Sequence, residues 1–216
     1  MPPCKSATNA GKTYTGKQAW WYENDSTMYA PMNYGLLYNW NAAVDTFNTA
    51  YGETSVNTSS SNALSVTFND HRRGICPVGW HLPNEAEWTA MIDYVSSQSE
   101  YFCEGRTSYI GKALADNVGW NTYSGECYPS DQSEMANNAT GFSAVPAGYC
   151  GGTSFSNAMF SDAGNNAYFW SATQLNSATQ PSSYLAYSHY LVYYSAGVSC
   201  YYFSKGYGYS VRCLRD

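Results

Sequence analysis

The chain has 216 residues, only 12% of them charged, and a formal net charge of −6. That length suits one large domain with a full hydrophobic core. The acidic balance, without any Lys/Arg cluster, excludes a nucleic-acid binder, which needs a basic patch to displace counterions. No apolar run approaches the ~18–20 residues of a membrane span, so membrane insertion is not expected. Met1-Pro2-Pro3-Cys4-Lys5 carries no apolar signal region. The 22 tyrosines and seven tryptophans are the compositional anomaly, and such residues bury their rings while offering hydroxyl and indole N–H groups to polar partners.

Residues 1–19 read as an N-terminal extension. A first helix is expected over 34–44, where Leu36, Leu37, Trp40, Ala43 and Val44 share one face at helical spacing. Residues 46–69 are rich in Ser, Thr and Asn and read as a loop. A second helix follows Pro83. Asn84 is its N-cap, Glu87 completes a capping-box pattern, and Trp88, Met91, Ile92 and Val95 form a core-facing stripe. Cys103 and Cys127 flank a short helix over 110–114 and are placed to staple that region, while 121–140 reads as another loop. From Gly141 the period changes. Strands are expected over 142–149, 167–173, 184–194, 198–203 and 209–214, each rich in aromatic or β-branched residues. Helices first and an antiparallel sheet after give an α+β class. The seven cysteines include no C-x-x-C pair and are too scattered for an expected zinc site. Two or three disulfides with one thiol over, or buried reduced cysteines, both fit.

Several phrases resemble one family. Gly74-Ile75-Cys76-Pro77-Val78-Gly79-Trp80-His81-Leu82-Pro83-Asn84-Glu85-Ala86-Glu87-Trp88 resembles the central block of the Fibrobacter succinogenes major paralogous domain, and Tyr34-Gly35-Leu36-Leu37-Tyr38-Asn39-Trp40 its upstream block. The segments 141–149, 169–173 and 210–214 resemble its later blocks. The resemblance implies a C-type lectin-like fold of the formylglycine-generating-enzyme-like subgroup, with two helices packed on a twisted antiparallel sheet and long loops, as one domain over 1–216. It is also similar to variable proteins diversified by retroelements, whose C-terminal strands change at template adenines. Such mutagenesis of Asn codons cannot yield Lys, Glu, Gln, Met or Trp. Within 181–209 the only excluded type is Lys205, expected as a fixed framework position, and the stretch holds nine of the 22 tyrosines. Residues 170–213 are therefore the candidate variable region, whose aligned ends, Trp170-Ser171-Ala172-Thr173 and Ser210-Val211-Arg212-Cys213, are expected to be fixed.

Tyr offers wide amphipathic contact with few rotatable bonds, and Ser and Gly offer adaptable hydrogen bonding, the mixture antibody loops use. The expected exposed ligand contacts are Tyr184, Tyr187, His189, Tyr190, Tyr193, Tyr194, Tyr201, Tyr202, Phe203 and Tyr207. The same Tyr/Ser alternation also fits a half-exposed sheet with one face in the core. The function expected is recognition of a protein or glycan ligand on a target surface, by a protein on a virion or bacterial cell surface; trimers, as in the related phage proteins, and monomers both fit. The alternatives are a non-diversified surface lectin or adhesin and, third, a formylglycine-generating-type oxidase.

No catalytic residue and no cofactor are expected. His81 reads as a structural hydrogen-bonder at the start of the second helix, and nothing sets a nucleophile beside His71, His81 or His189. Cys200 and Cys213 invite comparison with the paired cysteines of the oxidase relatives, but their flanking residues do not reproduce that motif. A Cys76–Cys213 disulfide is the expected pairing, tying the block before the second helix to the last strand; the alternative is two separate buried thiols. No metal site is expected either. Gln180-Pro181-Ser182 and Trp120-Asn121-Thr122 lack the carboxylates of calcium-dependent lectins, and hard calcium needs several oxygen ligands.

Overall fold

The computed structural model describes residues 19–25, 34–44, 72–131, 137–151, 159–175 and 185–216. The 46–69 loop, His71, Tyr184 and nearly all of the N-terminal extension lie outside the described residues.

The segment expected as a first helix divides in two. Strand β1 (Ala19–Trp21) pairs antiparallel with β2 (Leu36–Tyr38), and only Trp40–Ala43 forms the helix α1. The apolar pairs that mimic a helical stripe serve both pieces. Leu37 packs beside Trp20 and Phe160 in one cluster, whereas Trp40, Ala43 and Val44 enter another. Asn39 makes the break: its backbone is extended and its side chain accepts from the Ala42 N–H at 2.9 Å, capping α1.

Strand β3 (Trp80–His81) leads into α2 (Glu85–Ser97), where the capping box is present in full. Asn84 accepts from the Glu87 N–H at 3.0 Å, and Glu87 accepts from the Asn84 N–H at 2.9 Å. Trp88 and Val95 are buried, and Met91 and Ile92 pack partly covered against Ile110, Leu114, Phe169 and Leu191. Helix α3 (Gly111–Leu114) is wholly buried, including Lys112, whose ammonium pairs with Asp131 at 2.8 Å.

The main sheet contains β4 (Ala147–Gly151), β5 (Met159–Ala163), β6 (Asn166–Gln174), β7 (Leu185–Val192) and β8 (Ser199–Ser204), in the order β5-β4-β6-β7-β8. The expectation of a wholly antiparallel sheet is corrected at one junction, because β4 meets β6 in parallel through Gly148 and Ala167. Gly148 is needed there: its φ is +64°, and a Cβ would meet the Ser161 carbonyl at 2.2 Å. Strand β5 has no counterpart among the expected strands. Met-Phe-Ser-Asp-Ala carries no alternation, and Asp162 adopts φ +64°.

The last expected strand is also corrected. Tyr209 and Ser210 make isolated bridges to Tyr38 and Phe169, and only β9 (Leu214–Arg215) is a strand, pairing with β3. Beside that pairing, Cys76 and Cys213 form the expected disulfide, and Cys103 is bonded to Cys127. Cys150 is also disulfide-bonded, and Cys200 is free. The chain is thus a mixed α+β fold in which β6 is the most enclosed strand and β8 lies at an edge.

Candidate functional site: a tyrosine-rich face and edge of the sheet

Strand pairing sorts the tyrosines by face. Tyr168 of β6 stands opposite Tyr190 of β7, and their rings lie 5.3 Å apart. Phe203 of β8 joins at 6.0 Å from Tyr190, and Tyr207 follows 6.4 Å from Phe203. Tyr149 of β4 closes the array against Tyr168 and Tyr207, at 5.6 and 5.7 Å. Gly151 makes room for Tyr207, since a Cβ there would meet the Tyr207 ring at 2.6 Å. Beneath the array lies Tyr209, 1% exposed, stacked on Tyr168 at 4.8 Å and packed on Trp170 at 4.5 Å. Tyr149, Tyr190, Phe203 and Tyr207 are half-buried, so each ring is anchored on the core and keeps part of its surface open. Burial pushes the Tyr149, Tyr168 and Tyr209 hydroxyls above their ordinary pKa.

Lys205 anchors the same region from within. It is 2% exposed, donates to Gln174 Oε1 at 2.7 Å and holds its ammonium 4.3 Å from the Trp40 ring centre. Burial drops its pKa to about 7. The Trp40 backbone N–H donates to the Lys205 carbonyl at 3.0 Å, tying α1 to the turn after β8.

Two other groups of rings border this array, the first touching it where Tyr201 meets Phe203 at 5.5 Å. Tyr201, 51% exposed, stacks on Tyr202 at 4.4 Å on the edge strand, and Tyr187 meets Tyr202 edge-on at 6.2 Å. A hydrogen bond with Tyr201 raises the Tyr202 hydroxyl pKa. Past the end of β7, Tyr193 and Tyr194 cluster with Tyr123 at 5.6 and 5.8 Å. Tyr194 also lines a cavity of about 340 Å³ with Ser108, Tyr109, Tyr128 and the segment 195–198.

His189 departs from expectation. It is 3% exposed and stacked on Trp88 at 4.7 Å, so it is no exposed contact. Its register position puts it on the face of β7 that α2 covers. Its Nε2 lies 3.1 and 3.2 Å from the two Glu85 carboxylate oxygens, and the thiol of exposed Cys200 donates to Glu85 Oε2 at 3.5 Å. Burial works to raise the Glu85 carboxyl, but the hydrogen bond and electrostatic pull of His189, with help from Ser171 and Cys200, hold it below the ordinary carboxylate value. Burial and then the Glu85 charge push the Cys200 thiol up to about 12. Cys213 is occupied by its bond to Cys76 and does not pair with Cys200.

Away from the tyrosine-rich strands, His81 behaves as the sequence suggests. It is buried, with Nδ1 2.6 Å from Asp216 and Nε2 2.8 Å from Glu87, so the capping residue of α2 also pins β3. The family described as Fibrobacter succinogenes major domain matches residues 3–215. The chain belongs to that family. Comparison with curated proteins finds no match, and comparison with solved structures finds none.

In this Fibrobacter succinogenes major domain, the expected contacts therefore separate into an array (Tyr190, Phe203, Tyr207), an edge (Tyr187, Tyr201, Tyr202) and a loop cluster (Tyr193, Tyr194). Sequence reasoning missed Tyr149, Tyr168 and Tyr123, which complete the array and the loop cluster from outside the tyrosine-rich stretch. It also missed Glu85 and Cys200 as partners of His189. Strand register carries a signal for Cys200 alone, because it stands opposite His189 across β7 and β8. No helix among the described residues is long and apolar enough to cross a membrane.

Proposed function

We propose that this domain is a ligand-recognition module with a C-type lectin-like fold of the formylglycine-generating-enzyme-like subgroup. On this reading it is displayed on a phage or bacterial surface, and a retroelement rewrites the contacts on its tyrosine-rich strands. The observation that carries the reading is the array of Tyr149, Tyr190, Phe203 and Tyr207, whose rings are seated on the core and remain partly open. Rigid rings supply contact area at small entropic cost, and their hydroxyls pair with whatever polar groups a protein or glycan presents. The burial pattern supports diversification as well. Trp170, Ser171, Ala172 and Ser210, in the blocks expected to be fixed, are buried, and so is Lys205, the one residue of 181–209 that adenine mutagenesis cannot produce. The element order, with α1 and α2 ahead of the main sheet, supports the lectin-like assignment.

Sequencing the source locus tests the reading directly. The expected result is a near-copy of the segment encoding 170–213 that differs only at adenines, beside a reverse transcriptase gene. Codons for Tyr187, Tyr190 and Tyr202 should be among those that differ. Absence of a copy, with independent isolates agreeing at those three positions, leaves a surface domain with one fixed ligand.

A further inference from the structure

Glu85, His189 and Cys200 converge from the first turn of α2 and from the paired strands β7 and β8, and their candidate ligand atoms lie within 4.8 Å of one another. We propose that these three side chains form a site for a zinc-class divalent cation, with a fourth position open to solvent. Two of the three ligands lie within residues 170–213, so under the proposed rewriting the site belongs to this sequence variant, and its metal-binding test is read without reference to ligand recognition.

The donor set is one imidazole nitrogen, one carboxylate and one sulfur, all zinc ligands, and three protein ligands with an open position are the usual form of an accessible zinc site. Zinc bonds of about 2.0–2.3 Å in a tetrahedron put neighbouring donors roughly 3.3–3.8 Å apart. The observed separations are 3.1 and 3.2 Å from His189 Nε2 to the Glu85 oxygens, and 3.5 Å from Cys200 Sγ to Glu85 Oε2. The His189–Cys200 edge is bounded by 4.8 Å, so an ion entering between them draws the imidazole and the thiol together by at most about 1 Å. A single carboxylate is too poor in oxygen for calcium or magnesium, which take six or more oxygen ligands, largely protein groups for calcium and water for magnesium.

Each ligand is already held. The His189 ring is buried and stacked within 16° of the Trp88 plane. Glu85 is fixed by its backbone N–H donating to Thr173 Oγ1 at 3.1 Å, and Ser171 is among the groups that hold its carboxyl below the ordinary value. Ser171 thus stands behind the carboxylate in the orienting role that outer groups play at metal sites. Cys200 is exposed and not disulfide-bonded, so it supplies both a ligand and the route in. On binding, the Cys200 proton leaves to solvent and its sulfur bonds the metal as thiolate. The open position then accepts one further donor, a water or a carboxylate or imidazole from a bound partner.

The test is equilibrium dialysis against zinc and against cobalt at neutral pH, with Cys200 verified as a free thiol and metal content read by mass spectrometry. The expected result is one ion per chain and, with cobalt, a near-ultraviolet thiolate-to-metal charge-transfer band. Cys200→Ser should abolish the band and the stoichiometric binding while melting like the metal-free wild type, since Cys200 is exposed. Ser171→Ala should weaken binding by about 10–100-fold with the band retained. No stoichiometric binding by the wild type overturns the proposal. So does an unchanged affinity in Cys200→Ser, and so does binding that disappears instead with His81→Gln, which places the ion between Glu87 and Asp216.

Discussion

Tyr209 and Tyr201 stand close together in the chain, yet the first is 1% exposed and the second 51%. Tyr209 exchanges backbone hydrogen bonds with Tyr38 and lies between Tyr168 and Trp170, at the centre of the largest core cluster. Tyr201 sits on the edge strand with, among the described residues, Tyr202 and Phe203 against its ring. The same residue type is a keystone in one place and a replaceable surface in the other. Tertiary position, more than residue type, therefore separates a scaffold tyrosine from a surface tyrosine, and the two classes should differ sharply in what their loss costs.

Substituting Tyr209 with Ala should have the largest effect, about 4 kcal/mol by urea denaturation, as for other buried aromatic truncations. Replacing Cys76 and Cys213 together by Ser removes a cross-link of sequence separation 137 and should cost about 3 kcal/mol by the same measurement. Tyr190→Ser tests the middle of the range. Its half-buried ring rests on Tyr168 and Phe203, and about 2 kcal/mol is expected.

His81→Gln sharpens the comparison from the scaffold side, with about 1 kcal/mol lost at pH 6. Burial alone lowers the His81 pKa, but the hydrogen bonds and charges of Asp216 and Glu87 outweigh it and raise the value above the ordinary ~6.5. The folded state therefore holds the proton more tightly. The stabilisation is full below ~6.5 and disappears as pH climbs through the raised folded value, so thermal melts of wild type and variant should converge above it. Tyr201→Ser should have the smallest effect, within about 0.5 kcal/mol. Equal costs for Tyr201 and Tyr209 in matched denaturation curves would erase the distinction between rim and scaffold.

The parts of the fold legible in the sequence are those whose signal is local. Asn84 and Glu87 declare the start of α2 within a few residues, and the stripe from Trp88 to Val95 declares its inner face. Strands β6, β7 and β8 follow from their aromatic and β-branched runs. The family resemblance contributed the Cys76–Cys213 pairing, which no local pattern contains. What failed is non-local. Leu36 and Leu37 look helical until β1 is available to pair with them, and β5 has no alternation because its place is set by β4. For the candidate site, residue composition pointed to β7 and β8 but could not assign faces. A change of register by one residue exchanges the faces of a strand; thus His189, between exposed-looking tyrosines, is covered by α2 while Tyr190 faces the array.

The Cys76–Cys213 bond has a consequence for the integrity of the whole molecule. It closes a covalent circle that contains α2, α3 and every strand of the main sheet. A protease that cuts once within the circle, for instance in the turn between β7 and β8, opens the circle without releasing a fragment. The nicked protein keeps its mass until a reductant is added. The circle thus makes the tyrosine-bearing hairpin a breakable part of an unbroken chain.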